Sequence, residues 1–182
     1  MWIKVTGWQV KGELPAARKY VIIGAPHTSN WDFPYMMAYA AIFQVPVCWM
    51  GKDSLFKKPV MGGILRRMGG IAIDRSKPTG VVMQVVEQMQ VAEEMALVIP
   101  PEGTRKKKET WKSGFYWIAL HAEVPIVCAY LDFARKEGGV GPTISPTGDV
   151  SADMDKIRAF YEGIEGKYPE MVTPVRLKEE DK

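Results

Sequence analysis

The sequence has few residues of the kinds that mark disulfide-rich or metal-binding proteins. Its 182 residues include two cysteines, Cys48 and Cys128, each inside an apolar stretch and without CxxC spacing. This pattern excludes a disulfide framework and predicts two reduced thiols in the core of the protein. Two histidines and no dense carboxylate cluster also argue against a metal centre, so we expect no bound metal.

No apolar run is long enough to cross a bilayer. The longest, from Phe33 to Met50, is interrupted by Pro34, Gln44 and Pro46, whereas a spanning helix needs about 20 apolar residues. The first 15 residues contain no apolar segment of signal-peptide length, and no hydrophobic anchor precedes the first predicted strand. We therefore expect a cytoplasmic protein whose membrane contact is peripheral and reversible.

The net charge of +3 is too small for a polycation that wraps nucleic acid. Two segments nevertheless carry a local surplus of basic residues. Residues 52 to 67 have five basic residues against Asp53, and residues 105 to 112 have five against Glu109. These surpluses indicate an anionic surface or substrate, although the lysines at 106 to 108 are also typical of a solvated loop.

The spacing of apolar residues predicts strands that alternate with helices. The predicted strands are residues 2–11, 19–25, 45–50, 70–75, 96–100 and 125–131. The predicted helices are residues 33–43, 54–67, 113–122 and 151–161, with one more that begins near Pro78. This alternation predicts one α/β domain over residues 1–182, with a largely parallel sheet flanked by helices. We expect Ser151 to cap the last helix and the polar tail after Lys167 to be flexible.

The loop after the second predicted strand holds the best candidate for a general base. In the segment HTSNWD, Asp32 follows His27 by five residues, and a carboxylate at this spacing can bind one imidazole nitrogen and leave the other as a base. Asp32 before Phe33 and Pro34 is also typical of a helix N-cap, so that alternative stays open. His121, near the end of a predicted helix, is better explained by interaction with the helix dipole.

Two further loops at strand ends carry polar side chains. Arg75 ends the strand GIAIDR, where it could pair with Asp74 or bind a ligand. The segment EGTR brings together a carboxylate, a flexible glycine, a hydroxyl and a guanidinium group, which suits a phosphorylated and hydroxylated substrate. These residues are Glu102, Gly103, Thr104 and Arg105, and Lys112 follows a few residues later.

Taken in order, these segments resemble the signature motifs of the phospholipid and glycerol acyltransferase family, which includes the lysophosphatidate acyltransferases. HTSNWD resembles the HxxxxD motif, GIAIDR the second motif, EGTR the third, and VPIV at residues 124–127 the fourth. The resemblance covers about residues 20 to 130. Pro26, Lys106 and Cys128 depart from the residues usual in the family, and the first two leave the identity of the acceptor open.

The resemblance implies direct transfer of a fatty acyl group from acyl-CoA or acyl carrier protein to the hydroxyl of a lysophospholipid, with 1-acylglycerol-3-phosphate as the expected acceptor. It assigns His27 and Asp32 to catalysis, and it assigns Arg75, residues 102–105 and Lys112 to binding of the acceptor. No cofactor is implied beyond the acyl donor. The sequence has no Gly-x-Ser-x-Gly elbow, which argues against a serine hydrolase.

A lipid substrate also requires contact with a membrane. Apolar residues, among them Leu55, Phe56 and Ile64, lie among basic residues in the segment 49–68, which is typical of a surface that binds anionic lipid, although they could also belong to the core. Alternatives are the same chemistry on another lysophospholipid or a lyso-aminolipid, a metal-dependent phosphoesterase, or a non-catalytic binder of anionic lipid or nucleic acid. No RNA-binding signature accompanies the basic run, so we expect no nucleic-acid partner.

Overall fold

Helices and strands alternate along most of the chain in a computed structural model, which describes residues 2–74 and 80–181. The helices are α1 (Trp2–Val5), α2 (Asp32–Phe43), α3 (Asp53–Phe56), α4 (Pro59–Arg67), α5 (Gly80–Val91), α6 (Gly114–His121) and α7 (Val150–Tyr161). The strands are β1 (Gln9–Lys11), β2 (Lys19–Gly24), β3 (Val47–Lys52), β4 (Gly70–Ile73), β5 (Met95–Ile99), β6 (Ile126–Asp132) and β7 (Glu137–Ile144). Two short 3-10 helices, Pro169–Met171 and Lys178–Asp181, follow.

The strands form one sheet in the order β1-β7-β6-β2-β5-β3-β4. Neighbouring strands are parallel except β6 and β7, which are antiparallel. This mostly parallel sheet flanked by helices confirms the predicted α/β fold class. Because parallel strands end at the same edge of a sheet, the loops that follow β2, β3 and β5 leave the sheet on one side, where ligands bind in such folds.

The central strand β2 is buried on both faces of the sheet. Val21 and Ile23 belong to a core cluster with side chains of α5, α6 and α7, while Tyr20 and Ile22 face a second cluster that includes Ala40 of α2. Alternate residues of a strand point to opposite faces, so a strand covered on both faces is apolar almost throughout. This explains why the segment KYVIIG is recognisable as a strand from sequence alone.

The segment from residue 2 to 11 differs from the continuous strand that the sequence predicts. It forms α1 first, and Gly7 then turns the chain with a φ of 80° before β1 begins. The turn brings Trp8 against Tyr35 of α2, with ring centroids 4.4 Å apart. Burial of this large aromatic side chain outweighs continuation of the strand.

The sequence does not reveal β7, because glycine and proline interrupt its apolar pattern. The packing requires the glycines. A Cβ atom on Gly138 would lie 2.7 Å from the hydroxyl oxygen of Tyr39, and one on Gly139 would lie 2.0 Å from the carbonyl oxygen of Lys11. Glycine allows these close contacts on the face and at the edge of the strand, but it also removes the apolar side chains by which a strand is recognised in a sequence.

The C-terminal segment, residues 164–181, packs against the rest of the protein, whereas the sequence predicts a flexible tail after Lys167. Leu177 is fully buried, and the backbone N–H of Trp111 donates to the carbonyl oxygen of Arg176 at 2.8 Å. Arg158 of α7 forms an ion pair with Glu180. Leu177 in the core, Ile164 and Val175 packed against it, and these polar contacts hold a segment whose composition is mostly polar.

The cap of α7 also differs from the prediction. Asp149, and not Ser151, occupies the N-cap position, and its carboxylate accepts the backbone N–H of Ala152 at 3.0 Å. Asp and Ser are comparably good N-cap residues, so the choice depends on where the preceding loop places the first turn.

Candidate active site

His27 and Asp32 meet in the loop between β2 and α2. Nδ1 of His27 lies 2.9 Å from Oδ2 of Asp32. Because an ionised carboxylate only accepts hydrogen bonds, a neutral imidazole in this contact has its proton on Nδ1 and a lone pair on Nε2. The arrangement therefore leaves Nε2 of His27 able to act as a general base.

The same carboxylate oxygen organises the loop around His27. Oδ2 of Asp32 also accepts the backbone N–H groups of Thr28 and Ser29, each at 3.0 Å. An N-cap residue accepts N–H groups that follow it in the first helical turn, whereas these N–H groups precede Asp32. The carboxylate thus holds the loop and the imidazole, and it does not serve as the cap of α2.

Glu102 connects the loop after β5 to the loop that carries His27. Its Oε1 accepts the backbone N–H of His27 at 2.9 Å. The residue is 3% exposed, and this burial raises the pKa of its carboxyl group, while the hydrogen bond from His27 opposes the rise. Among the described residues, Oε2 is buried without a hydrogen-bond partner. Oε1 is therefore engaged within the protein, and the contact of Glu102 with the acceptor stays a prediction.

The rest of the EGTR segment lies beside Lys112. Gly103 has a φ of 63°, and a Cβ atom there would come within 2.9 Å of the Lys112 side chain, so the lysine lies across the glycine. Arg105 is exposed and lines the cavity described below. The hydroxyl oxygen of Thr104 accepts the backbone N–H of Lys106 at 3.4 Å. This loop thus presents two positive side chains, Arg105 and Lys112, close to the residues that hold His27.

An apolar cavity of about 540 Å³ opens beside His27. Its floor is the sheet, through side chains such as Ile22, Val98 and Ala129. Its other wall is α2, whose lining residues recur at helical spacing: Asp32, Phe33, Met36, Tyr39, Ala40 and Phe43. The cavity therefore follows α2 for about 16 Å from the loop that carries His27, at 1.5 Å per residue. The sequence predicts a helix over residues 33–43 and does not indicate that its side chains line a cavity.

Three further residues singled out from the sequence are either not described by the structure or not among those that line this cavity. Arg75 and Pro78 fall outside the residues that the structure describes. His121 ends α6 and stacks on Trp117, with ring centroids 6.1 Å apart, and it is not among the residues that line the cavity. His27 is therefore the histidine that the structure places at a candidate site.

The described residues contain no cluster suited to a metal ion and no helix suited to span a membrane. In residues 2–74 and 80–181, no three or more His, Cys, Asp or Glu side chains cluster so that they could hold a metal ion. Within the same residues, no helix has the length and apolar character needed to cross a membrane. Neither cysteine is in a disulfide, and burial raises the pKa of the Cys128 thiol to about 12.

Known proteins are similar to this chain in sequence. The sequence model of the acyltransferase family matches residues 7–132. The chain is 29% identical over 132 residues to a 1-acyl-sn-glycerol-3-phosphate acyltransferase of Limnanthes douglasii, covering 70% of this chain and 46% of that protein. It is 32% identical over 130 residues to the enzyme of that name from Salmonella typhimurium, covering 66% of this chain and 51% of that protein. The chain thus spans about half the length of these curated relatives.

A solved structure is similar in fold. The crystal structure of the 1-acyl-sn-glycerophosphate acyltransferase PlsC from Thermotoga maritima matches with a TM-score of 0.57 at 18% identity, covering 81% of this chain and 66% of that chain. At this identity the likeness concerns the fold alone. The family match, by contrast, covers well over half of the sequence and includes the loops that hold His27, Asp32 and Glu102. The chain therefore belongs to the acyltransferase family.

Proposed function

We propose that the protein is an O-acyltransferase that moves a fatty acyl group from acyl-CoA or acyl carrier protein to the hydroxyl of a lysophospholipid. The observation that carries this proposal is the His27–Asp32 pair, 2.9 Å apart, beside an apolar cavity of about 540 Å³. The pair supplies the base and the cavity accommodates an acyl chain. The names of the relatives favour 1-acylglycerol-3-phosphate as the acceptor. The second candidate is another lysophospholipid or a lyso-aminolipid, because Pro26 and Lys106 depart from the family pattern.

The reaction needs one base and no acyl-enzyme. Nε2 of His27 takes the proton from the acceptor hydroxyl as its oxygen attacks the carbonyl carbon of the thioester, and the carbonyl electron pair moves to the carbonyl oxygen. When the carbonyl group re-forms, the C–S bond breaks and the imidazolium gives its proton to the leaving thiolate. Asp32 stabilises the imidazolium between the two transfers. A general base contributes about 10²- to 10⁴-fold, so positioning of the substrates supplies much of the rest. No cofactor beyond the acyl donor is required.

Arg105 and Lys112 are suited to hold the phosphate of the acceptor. Arg105 lines the same cavity as His27, and a guanidinium group can bind two phosphate oxygens at once. Lys112 lies across Gly103 on the same loop. With the phosphate on this loop and the acyl chain of the donor in the cavity, the acceptor hydroxyl and the thioester carbonyl meet at His27.

We further propose that α3 and α4 form a face that contacts the membrane peripherally. In α4 the one buried residue is Gly62, while Val60 is 78% and Ile64 54% exposed. Exposed Leu55 and Met61 extend this apolar surface. Exposed basic residues surround it: Lys52, Lys57, Lys58, Arg66 and Arg67. This composition is typical of a membrane-binding surface, in which apolar side chains enter the bilayer and neighbouring cations bind anionic head groups.

Phe56 does not belong to the membrane face, in contrast to the sequence interpretation. It is 3% exposed, and its ring lies 6.2 Å from that of Trp49. The Trp49 ring in turn lies 6.1 Å from that of Phe33, and both of these residues line the cavity. Aromatic contacts therefore connect the base of the proposed membrane face to the cavity, which supports entry of lipid from this side.

The test of the proposed activity is a matrix of donors and acceptors. Purified protein is incubated with labelled palmitoyl-CoA or palmitoyl-acyl carrier protein and with lysophosphatidate, lysophosphatidylethanolamine or a lyso-aminolipid, and the diacyl product is followed. We expect product with lysophosphatidate. Product with another acceptor alone would support the second candidate, and no product with any pair would contradict the proposal.

The membrane face is tested by sedimentation with vesicles of phosphatidylcholine, with and without phosphatidylglycerol. The double variant Val60→Ser and Ile64→Ser is expected to bind about tenfold more weakly than the parent, because two exposed apolar side chains no longer enter the bilayer. Val91→Ser removes an apolar residue that is 86% exposed on α5 and serves as the control. Equal binding by the double variant and the parent would refute the assignment of this face.

A further inference from the structure

The C-terminal segment lies directly against the loop that carries His27. Two hydrogen bonds fix it on either side of Lys167. The backbone N–H of Phe133 donates to the carbonyl oxygen of Glu165 at 2.9 Å, and that of Tyr168 donates to the hydroxyl oxygen of Thr28 at 3.2 Å. These bonds set the position of the backbone at Lys167.

Gly166 allows this close approach. It is buried, and a Cβ atom on it would lie 2.9 Å from side-chain atoms of Thr28 and 3.2 Å from Pro26. Thr28 in turn donates its backbone N–H to Asp32. One threonine therefore contacts both the catalytic carboxylate and the segment that carries Lys167.

The ammonium group of Lys167 lies over the aromatic rings at this junction. Its Nζ is 5.0 Å from the ring centroid of Trp31 and 5.9 Å from that of Phe133. Trp31 immediately precedes Asp32 in the HTSNWD segment and is 55% exposed. Ring faces hold a cation by electrostatic attraction without neutralising its charge.

No carboxylate neutralises this cation among the described residues. Within them, the ion pairs formed by other lysines, such as Lys57 with Asp53 and Lys156 with Asp153, have no counterpart at Lys167. A positive group that is held in place, half-buried and without a counter-ion is suited to bind an anion.

We propose that Lys167 is a further substrate-binding residue whose ammonium group binds a phosphate of one of the two substrates beside the His27 loop. This inference rests on the proposed acyl transfer, in which both substrates carry phosphate: the acceptor on its head group and the donor on its coenzyme A or phosphopantetheine arm. Lys167 lies outside residues 7–132, which the family model matches, so it adds a contact to those of Arg105 and Lys112.

The experiment compares the parent with Lys167→Met, Lys167→Arg and the control Lys178→Met, which removes an exposed lysine of the same C-terminal segment. Methionine retains an apolar stem against Trp31 and removes the charge. Equilibrium binding of coenzyme A and of a short-chain lysophosphatidate is measured by calorimetry. We expect Lys167→Met to weaken one of the two by about tenfold, Lys167→Arg to stay within about threefold of the parent, and the control to bind like the parent.

Kinetic measurements then identify which phosphate is bound. If it is that of the acceptor, Lys167→Met raises the KM for lysophosphatidate and not for monoacylglycerol. If it is that of the donor, the variant raises the KM for acyl-CoA and not for the acyl thioester of N-acetylcysteamine, which has no phosphate. In either case kcat changes little, since the charge acts in binding.

Other results would overturn the inference. One is that Lys167→Met binds each phosphate ligand as tightly as the parent does. Another is that the parent binds neither ligand. The third is that Lys167→Met loses activity equally with substrates that carry the phosphate and with those that lack it. Failure of the proposed function would give a different result. The parent would then bind a phosphate ligand through Lys167 but would not transfer an acyl group, which would support the binding site and contradict the proposed reaction.

Discussion

The carboxylate of Glu102 accepts the backbone N–H of His27 at 2.9 Å, although 75 residues separate the two in the sequence. This bond fixes the loop after β5 relative to the loop after β2, and so places the positive side chains of one loop beside His27 of the other. The contact is made in a buried environment, which disfavours the charged form of the carboxyl group and raises its pKa.

The raised pKa of Glu102 predicts that its ionisation destabilises the fold. Above the ordinary pKa of 4.5, the folded protein keeps a proton that the unfolded chain has released. The contribution of this group to the free energy of unfolding therefore falls as pH rises from about 4.5 to the folded-state pKa. Glu102→Gln keeps an oxygen that accepts from His27 and removes the ionisation.

Urea unfolding at a series of pH values checks this prediction. The free energy of unfolding of the parent minus that of Glu102→Gln is expected to fall as pH rises through that range. The subtraction cancels groups that titrate alike in both proteins, such as Asp153, whose pKa the fold lowers. A difference that stays constant or rises with pH would show that the carboxyl group is not destabilised by burial.

Replacement of Asp32 by Asn tests how the imidazole is oriented. An amide can still fill the site, but it neither stabilises the imidazolium nor selects the tautomer with the proton on Nδ1. We expect kcat to fall by about 10²- to 10⁴-fold with little change in the KM of the acceptor. Asp155→Asn, which changes an exposed carboxylate of α7, is the control and should leave kcat unchanged. A kcat within about threefold of the parent would remove Asp32 from the mechanism.

A larger side chain at Ala40 tests whether the cavity holds the acyl chain. Ala40 lines the cavity two helical turns beyond Asp32, so Ala40→Phe fills its far part. We expect kcat/KM for a palmitoyl donor to fall by about tenfold or more, while that for an octanoyl donor changes little, because each buried methylene contributes about 0.8 kcal/mol. Ala152→Phe, at an exposed position of α7, should change neither value. An equal loss with both donors would contradict this use of the cavity.

Tyr161 supports β2, from which the loop that carries His27 departs, and its neighbour β6. Its buried hydroxyl lies 2.9 Å from the carbonyl oxygens of Ile23 in β2 and Ala129 in β6, and burial raises its pKa well above the ordinary value, so it remains a donor. Tyr161→Phe leaves a buried carbonyl without this donor and is expected to lower the free energy of unfolding by about 1–2 kcal/mol. Urea denaturation measures this loss, and a variant as stable as the parent would show that the hydroxyl contributes nothing.

Features that depend on nearby residues could be predicted from the sequence. The contact of His27 with Asp32 spans five residues of one loop, and the apolar runs of β2 and β5 identify buried strands directly. The order of the motifs then indicated the family. The fold class could be predicted for the same reason, since alternating strands and helices are a local pattern.

Features that depend on distant packing could not be predicted in this way. The glycines of β7 have a reason only when Tyr39 and Lys11 are placed beside them. The role of Glu102 depends on a partner 75 residues away, and the position of Lys167 depends on contacts with Thr28 and Trp31. In each case the sequence shows the residue, and the tertiary structure supplies its partner.

The most direct test of the central claim is acyl transfer by His27→Ala, measured with the donor and acceptor that the parent uses best. His121→Ala is the matched control, because these are the two histidines of the chain. With circular dichroism spectra and unfolding midpoints unchanged, we expect transfer to fall by about 10²-fold or more in His27→Ala and to stay at the parent rate in His121→Ala. Transfer by His27→Ala at the parent rate would contradict the assignment of His27 as the base.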